Sequence, residues 1–329
     1  MAMRWPIVVV SGSLGALIVL VMTIPPVRVA VTNVWERVPI VGESQPTRLI
    51  FVGDIMLSRS VGESMERWGD WSRPFVLSAA VTAGADLTFG NLESVISDRG
   101  ATQGCTYCFR ADPRSIEGLL DAGFDVVSVA NNHAWDYGPD AFTDSLKRLV
   151  SAGITPVGGG ADLAVARTPV VKTAHDVRVA YLAYTNLMPV LTCAAERYAG
   201  VHCYAAARMQ EDITAARSVA DIVVVSFHAG EEYQPHTAAQ ERIYRAAIDA
   251  GADLVIGHHP HVVQDVERYG GGWIAYSLGN FIFDQTWSPE TMRGMLLEVT
   301  ITDGEIAEVA TRAVDISSLY QASLAPATP

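Results

Sequence analysis

From Arg48 onward, short apolar runs alternate with helix-like segments. The apolar runs predict strands at residues 49–52, 87–89, 125–130, 179–184, 222–227 and 254–256. Helices are predicted between them, around residues 75–83, 115–122, 139–150, 209–219 and 237–250, with Pro139 at a first-turn position. Strand followed by helix, repeated, is the pattern of an α/β fold. After residue 261 the rhythm changes. Gly270, Gly271 and Gly272 separate two strand-like runs, 262–269 and 273–278, and Asp303-Gly304 joins two more, so the carboxyl end is expected to be antiparallel. Residues 317–329 read as a loose tail.

One segment fits neither period. Residues 7–24 are apolar without a charge, follow Arg4 and end at Pro25-Pro26. Eighteen helical residues span about 27 Å, close to the thickness of a bilayer's hydrocarbon core. The run is either a single membrane-spanning anchor or a long signal peptide. Arg28 occupies the place of the first small residue in the nearest cleavage site, which ends at Ala30, so we read residues 1–24 as an uncleaved anchor. Arg4 on the short side puts the amino terminus in the cytoplasm and the remainder on the extracytoplasmic side. Residues 25–47, with four prolines, read as a tether, and residues 48–316 as the folded domain.

Composition narrows the function. Half of the 329 residues are apolar and 18% are charged, which excludes a disordered chain. With 23 basic against 36 acidic side chains the net charge is −13, and no basic run offers a footprint for nucleic acid. The four cysteines, an even number in an exported chain, are expected to pair locally, Cys105 with Cys108 and Cys193 with Cys203. A metal knuckle or redox pair at Cys105-x-x-Cys108 ranks below this, because no second C-x-x-C exists.

The polar residues fall where an α/β sheet collects ligands, at the carboxyl ends of its strands. Asp54 ends the first strand, Asn91 and Glu93 the second, and Asn132 and His133 follow the third. His228 comes after the run 222–227, while His258, His259 and His261 come after 254–256. Asn280 follows Leu278. Any one of these histidines alone would read as an ordinary hydrogen-bonded residue. Five of the chain's eight lie in this set, and coincidence at so many strand ends is a poor explanation. Imidazole, carboxylate and amide oxygen together suit a divalent ion such as Zn, Mn, Fe or Mg. His133 and Asp136, three residues apart, form a unit in which the carboxylate would orient the ring for general acid catalysis. The plainer role for Asp136 is to satisfy backbone donors in its turn.

These residues carry a family resemblance. Gly53-Asp54-Ile55-Met56-Leu57, Asn91-Leu92-Glu93, Ala130-Asn131-Asn132-His133 with Asp136 and Gly138, His228-Ala229-Gly230-Glu231, the His-Pro-His within 257–264, and Ser277-Leu278-Gly279-Asn280-Phe281 resemble the successive motifs of the CapA family. Its members are bacterial capsule-synthesis proteins associated with poly-γ-glutamate, and the family in turn resembles the calcineurin-like metallophosphoesterases. The resemblance implies a metallophosphoesterase-like sandwich of two mixed β-sheets flanked by helices. It implies one or two divalent ions held by Asp54, Asn91, Glu93, Asn132, His228, His259 and His261, with His133 as acid and Asp136 beside it. Two positions depart from the phosphoesterase pattern: Met56 stands where a histidine ligand belongs, and Asn91 where a bridging Asp belongs.

Two functions follow. One is a membrane-anchored, metal-dependent hydrolase acting on a phosphoester or on a bond in an anionic cell-envelope polymer or its precursor. The other is a non-catalytic component that binds or assembles such a polymer. The expected companions of either are other capsule-synthesis membrane proteins. Neither a serine-nucleophile elbow, a dinucleotide fingerprint nor a Walker A sequence is present.

Overall fold

The computed structural model describes residues 45–325. Two mixed sheets face one another. The first runs in the order Ala322–Leu324, Glu305–Ile316, Arg293–Thr302, Thr47–Ile55, Leu87–Leu92, Val126–Ser128, Thr155–Val157, with Asn280–Ile282 also pairing with Thr47–Ile55. The second runs Val266–Tyr269, Gly272–Ala275, Leu254–His258, Ile222–His228, Val177–Thr185, Val170–Ala174. The strands that continue into helices are parallel, and the hairpin strands at the edges are antiparallel.

Side-chain alternation explains the layering, because successive residues of a strand point to opposite faces. Leu49 and Phe51 join Phe89, Val126, Tyr181, Val224 and Ile256 in the core between the sheets. Ile50 and Val52 point the other way and pack with Val61, Met65, Leu119, Phe142 and Leu149, from the helices Arg59–Trp68, Ser115–Asp121 and Gly138–Ser151. The outer face of the second sheet is covered in the same manner by Ala206–Arg217 and Ala238–Asp249. Phe89 and Tyr181 stack across the seam with centroids 5.6 Å apart and planes 5° from parallel.

Several expectations need correction. Of the segment expected to be loose, 317–329, the described part, residues 317–325, is ordered into a turn and a strand. Ser317 Oγ accepts from the Gln321 amide, Tyr320 N donates to Ser317 O, and the turn returns Ala322–Leu324 to the sheet beside Glu305–Ile316. The helix expected over 75–83 is a 3-10 turn at Arg73–Phe75 and a single turn at Ala79–Thr82, divided where Ser78 Oγ donates back to Phe75 O. Arg59–Trp68 is a helix that the apolar pattern missed, since only Val61 and Met65 are buried. The glycine-linked hairpin forms at Val266–Tyr269 and Gly272–Ala275, but its second arm also pairs parallel with Leu254–His258, so the carboxyl end is only partly antiparallel.

Both local disulfides form. The proposed anchor and nearly all of the tether lie outside the described residues, and among those residues no helix is long and apolar enough to cross a membrane.

Candidate metal centre

The carboxyl ends of the parallel strands from both sheets meet at one place. In register, Asp54 lies opposite both Asn91 and Asn280, and His228 lies opposite His258. Two glycines permit this approach. A Cβ on Gly53 would lie 2.0 Å from Gly279 O, and one on Gly257 1.9 Å from Tyr276 O. Past Gly257 the chain turns sharply, with His259 at φ 98° and His261 at φ 57°. Left-handed backbone at non-glycine residues costs about 1–3 kcal/mol each and persists where the surroundings impose it. Asp54 supplies part of that constraint: its Oδ2 accepts from the His259 amide at 3.2 Å.

Asn91 sits at the middle of the cluster. Its Nδ2 donates to Asp54 Oδ1 at 2.8 Å, and Glu93 Oε2 lies at 3.4 Å and His228 Nδ1 at 3.2 Å. Its Oδ1 accepts from Asn131 Nδ2 at 3.1 Å. The nitrogen of Asn91, rather than its oxygen, therefore faces the carboxylates. His228 Nε2 and Asn132 Oδ1 are 2.7 Å apart, and His261 Nδ1 and Asn280 Oδ1 2.9 Å. Met56 is fully buried in the apolar core, where its sulfur accepts from Ser58 Oγ at 3.0 Å, and it offers nothing to the cluster.

Glu93 Oε1 is the focus of the remaining geometry. It is buried without a hydrogen-bond partner, as is His259 Nδ1. Three ring nitrogens surround it, His133 Nε2 and His228 Nε2 at 3.8 Å and His261 Nε2 at 3.7 Å. These separations are too long for hydrogen bonds. Two ligand atoms bound about 2.0–2.2 Å from one ion lie roughly 3.4–4.2 Å apart as their angle opens from tetrahedral to linear, which matches the observed spacing. Among the described residues, two sets of three side chains have ligand atoms within 4.8 Å of one another: Asp54, Glu93 and His261, and Glu232, His259 and His261.

Burial works to raise the Asp54 carboxyl, but hydrogen bonds and charge from His258 and His261 hold it well below the usual carboxylate range. Burial, reinforced by the charge of Asp54, pushes Glu93 well above it. Burial lowers His228 well below the ordinary imidazole value, and burial with the neighbouring His261 lowers His259 to about 3. At neutral pH these two rings are uncharged, the form in which an imidazole binds a metal.

His133 lies at the edge of the cluster. Its Nδ1 is 2.7 Å from Asp136 Oδ2, which also accepts the Phe109 amide at 2.7 Å. Asp136 thus holds the ring and a backbone donor at once. Phe109 stacks on the His133 ring with centroids 3.8 Å apart, and the Cys105–Cys108 disulfide closes the turn that delivers it. A cleft of about 650 Å³ opens over His133 and His261, walled by Arg59, Tyr107, Tyr233, Trp287 and Glu232. Arg59 pairs with Asp284 and lies 5.0 Å from the centre of the Phe109 ring.

All nine residues that the resemblance assigned to the site thus lie in or beside one cluster, and so do His258 and Asn280. Two others were missed, Glu232, one residue beyond the His228 motif, and Phe109, whose role comes through stacking and a backbone amide; Asn131, quoted within its motif without a role, braces Asn91. Glu232 follows Glu231 directly, and no spacing in the sequence distinguishes the two. His175, His202 and His236 stand apart from the cluster, beside Asp86, Asp212 and Asp265.

The chain resembles known proteins over most of this architecture. It is 32% identical over 274 residues to the capsule biosynthesis protein CapA of Bacillus anthracis, a match covering 80% of this chain and 66% of that protein. It is 35% identical over 242 residues to the PGA biosynthesis protein CapA of Bacillus subtilis, covering 72% and 63%. The match therefore spans just under two thirds of either Bacillus relative. A protein of Mycobacterium tuberculosis named as a probable polyglutamine synthesis accessory protein is 31% identical over 270 residues, covering 76% of this chain and 71% of the relative. Among solved structures, a hypothetical protein from Thermus thermophilus superposes with a TM-score of 0.52 at 17% identity, covering 82% of this chain and 99% of the other, a likeness of fold. The profile of the bacterial capsule synthesis protein family PGA_cap matches residues 48–285, from the start of the first strand past the last of the site motifs, and the chain belongs to that family.

Proposed function

We propose that this chain is a membrane-anchored, extracytoplasmic hydrolase of capsule or poly-γ-glutamate synthesis. Its substrate class is a phosphoester, or a bond within an anionic cell-envelope polymer or its precursor, cleaved with the help of one or two divalent ions. The observation that carries the reading is Glu93 Oε1, buried without a hydrogen-bond partner and ringed by three imidazole nitrogens at 3.7–3.8 Å. Leaving such an atom unsatisfied costs at least about 1–3 kcal/mol, and the surrounding imidazole nitrogens at ligand spacing support a bound ion as the partner that offsets this cost. The donor set of carboxylate, imidazole and amide oxygen fits Mn, Zn, Fe or Mg. The two mixed sheets flanked by helices agree with a metallophosphoesterase-like fold, and the polymer is suggested by the names of the Bacillus and mycobacterial relatives.

A divalent ion held here would supply Lewis acidity at neutral pH. The protein's own groups do the rest. Asp136 accepts Nδ1–H of His133 and so presents Nε2 at the cleft, where a ring carrying a second proton, on Nε2, would give it to a leaving group and return to the neutral form. Phe109 covers one face of that ring and excludes water from it. His261 lines the cleft, and Glu93 and His259 lie buried next to it. Residues 7–24 hold the domain at the membrane, beside other capsule-synthesis membrane proteins.

Metal content and turnover of a phosphoester panel by the purified protein test the reading. Wild type should carry metal, and His259→Ala with His261→Ala should lose it. His133→Ala should keep metal but lose about 10²–10⁴-fold in rate. Equal metal in wild type and the double variant would refute the site. Full function in His133→Ala would favour the non-catalytic, polymer-binding reading. Protease added to spheroplasts should remove the domain, and a protected domain would reverse the topology.

A further inference from the structure

The acceptor atoms of this cluster fall into two groups. Asp54 Oδ1, His228 Nδ1 and Glu93 Oε2 lie 2.8, 3.2 and 3.4 Å from Asn91 Nδ2. Each is an atom type that could ligate a metal, and all three face one amide nitrogen. The amide cannot simply be turned over, since that would set its oxygen against the Asp54 carboxylate and its NH₂ against that of Asn131, which the Leu92 carbonyl and the His133 amide hold in place. Donation from Asn91 to His228 Nδ1 leaves the His228 proton on Nε2, which donates to Asn132 Oδ1 at 2.7 Å. Both ring nitrogens of His228 are thereby engaged. So are both oxygens of Asp54, by Asn91 Nδ2 and by the His259 amide.

The unengaged atoms lie elsewhere. Glu93 Oε1 and His259 Nδ1 are buried without hydrogen-bond partners, His259 being only 7% exposed. With its Nδ1 donating to Asn280 Oδ1, His261 keeps its lone pair on Nε2, 3.7 Å from Glu93 Oε1. Glu232 stands on the cleft wall, and its carboxylate lies within 4.8 Å of ligand atoms from His259 and His261.

We infer that the chain holds one divalent ion, in this outer position, with Glu232 as its solvent-facing ligand, and that the Asn91 amide fills the place of a second ion. The inference rests on the metal-dependent reading above and fixes its stoichiometry and ligands. A neutral imidazole has a single lone pair, so His261 serves one ion at a time. The inner set of Asp54, Glu93 and His261 therefore competes with the outer set for the same ring, and the two are not filled together. Glu232 approaches the ion from solvent and His259 and His261 from the buried side, while Glu93, 3.7 Å from His261 Nε2, belongs to the competing inner set. One carboxylate and two imidazoles, with water completing the sphere, suit Zn²⁺ or Mn²⁺.

The test is titration of the full, chelator-stripped protein with Mn²⁺ and with Zn²⁺, read by calorimetry and elemental analysis, and with Co²⁺, read by its visible spectrum. Wild type should bind one ion per chain. Glu232→Gln, an exposed isosteric change, should weaken binding beyond the roughly 10–100-fold typical of losing a group that merely supports a ligand, and should alter the Co²⁺ spectrum. Asn91→Asp should raise the stoichiometry to two. Two ions in wild type, or a Glu232→Gln protein with unchanged affinity and spectrum, would overturn the inference. If His259→Ala with His261→Ala loses metal while Glu232→Gln does not, the inference falls and the metal-dependent reading stands. If wild type binds none of the three metals, the metal-dependent function falls with it.

Discussion

Replacing Asn91 by Asp exchanges an NH₂ group for an oxygen at the most crowded point of the site. In the metal-free protein the new carboxyl would face Asp54 and Glu93, both fully buried. Staying protonated at pH 7 costs a carboxyl of ordinary pKa, about 3.9, roughly 4 kcal/mol, and this sets a ceiling on the charge repulsion. A protonated carboxyl donates once where the amide donated twice, and a lost hydrogen bond to a charged acceptor costs about 1.5–3 kcal/mol. The sum is about 5–7 kcal/mol. The new group's pKa is raised in the folded state, so the folded protein binds the extra proton and stability falls as pH rises above the carboxylate range. At pH 5 the protonation part shrinks to about 1.5 kcal/mol. At about 2–4 °C per kcal/mol, the midpoint in EDTA at pH 7 should drop by at least about 10 °C, and by markedly less at pH 5. Saturating Mn²⁺ should recover more of that loss than it adds to wild type, because the ion binds only the folded form. Differential scanning calorimetry at both pH values, with EDTA and with Mn²⁺, measures all four quantities. An unchanged midpoint in EDTA at pH 7 would refute the view that the Asn91 nitrogen holds the two carboxylates together.

Two further outcomes follow from the same geometry. His228 and His259 are neutral in the fold, with His259 lowered to about 3, whereas the unfolded chain protonates its histidines near 6.5. The unfolded state therefore binds more protons across that window, and metal-free stability should fall as pH drops from about 6.5 to about 3, with Glu93 opposing and Asp54 adding to the loss at its lower end. Urea midpoints across this range would show it, and a flat profile would contradict the buried, uncharged rings. Opening the Cys105–Cys108 disulfide with a reductant, or by Cys105→Ser with Cys108→Ser, should free Phe109 and lower turnover by about tenfold with metal retained, short of the roughly 10²–10⁴-fold expected for losing His133. Loss of metal in the reduced protein would place Phe109 in ligand support instead.

The site was legible in the sequence because strand ends are. Each short apolar run marks a buried strand, and the polar residue just beyond it has to lie at the sheet's rim, so Asp54, Asn91, His228 and His259 could be grouped without coordinates. Two kinds of fact could not be read that way. Which atom of Asn91 faces the carboxylates depends on Asn131, whose amide reaches across from another strand end. The choice of Glu232 depends on where the chain turns after Gly230, whose φ of 115° lies outside the range of ordinary side-chain-bearing residues. The tail failed for a related reason: the turn at Ser317 is made by its hydroxyl and by backbone hydrogen bonds from Leu319, Tyr320 and Gln321, and nothing in the apolar pattern announces it.

The ligand atoms do not belong to one sheet. Glu93 is carried by the first, while His259, His261 and Glu232 are carried by loops of the second, and the two are tied by Asp54 through the His259 amide and the His258 and His261 rings, and by Asn91 and Asn132 through His228. The centre therefore works as a gauge of how tightly the sheets are pressed together. A small slip along the Phe89–Tyr181 seam, too slight to expose the core or change the circular dichroism, would still move one half of the coordination sphere away from the other. Ion affinity should register such loosening before any global measure of folding does, and a partner that grips both sheets would tune the centre without touching it.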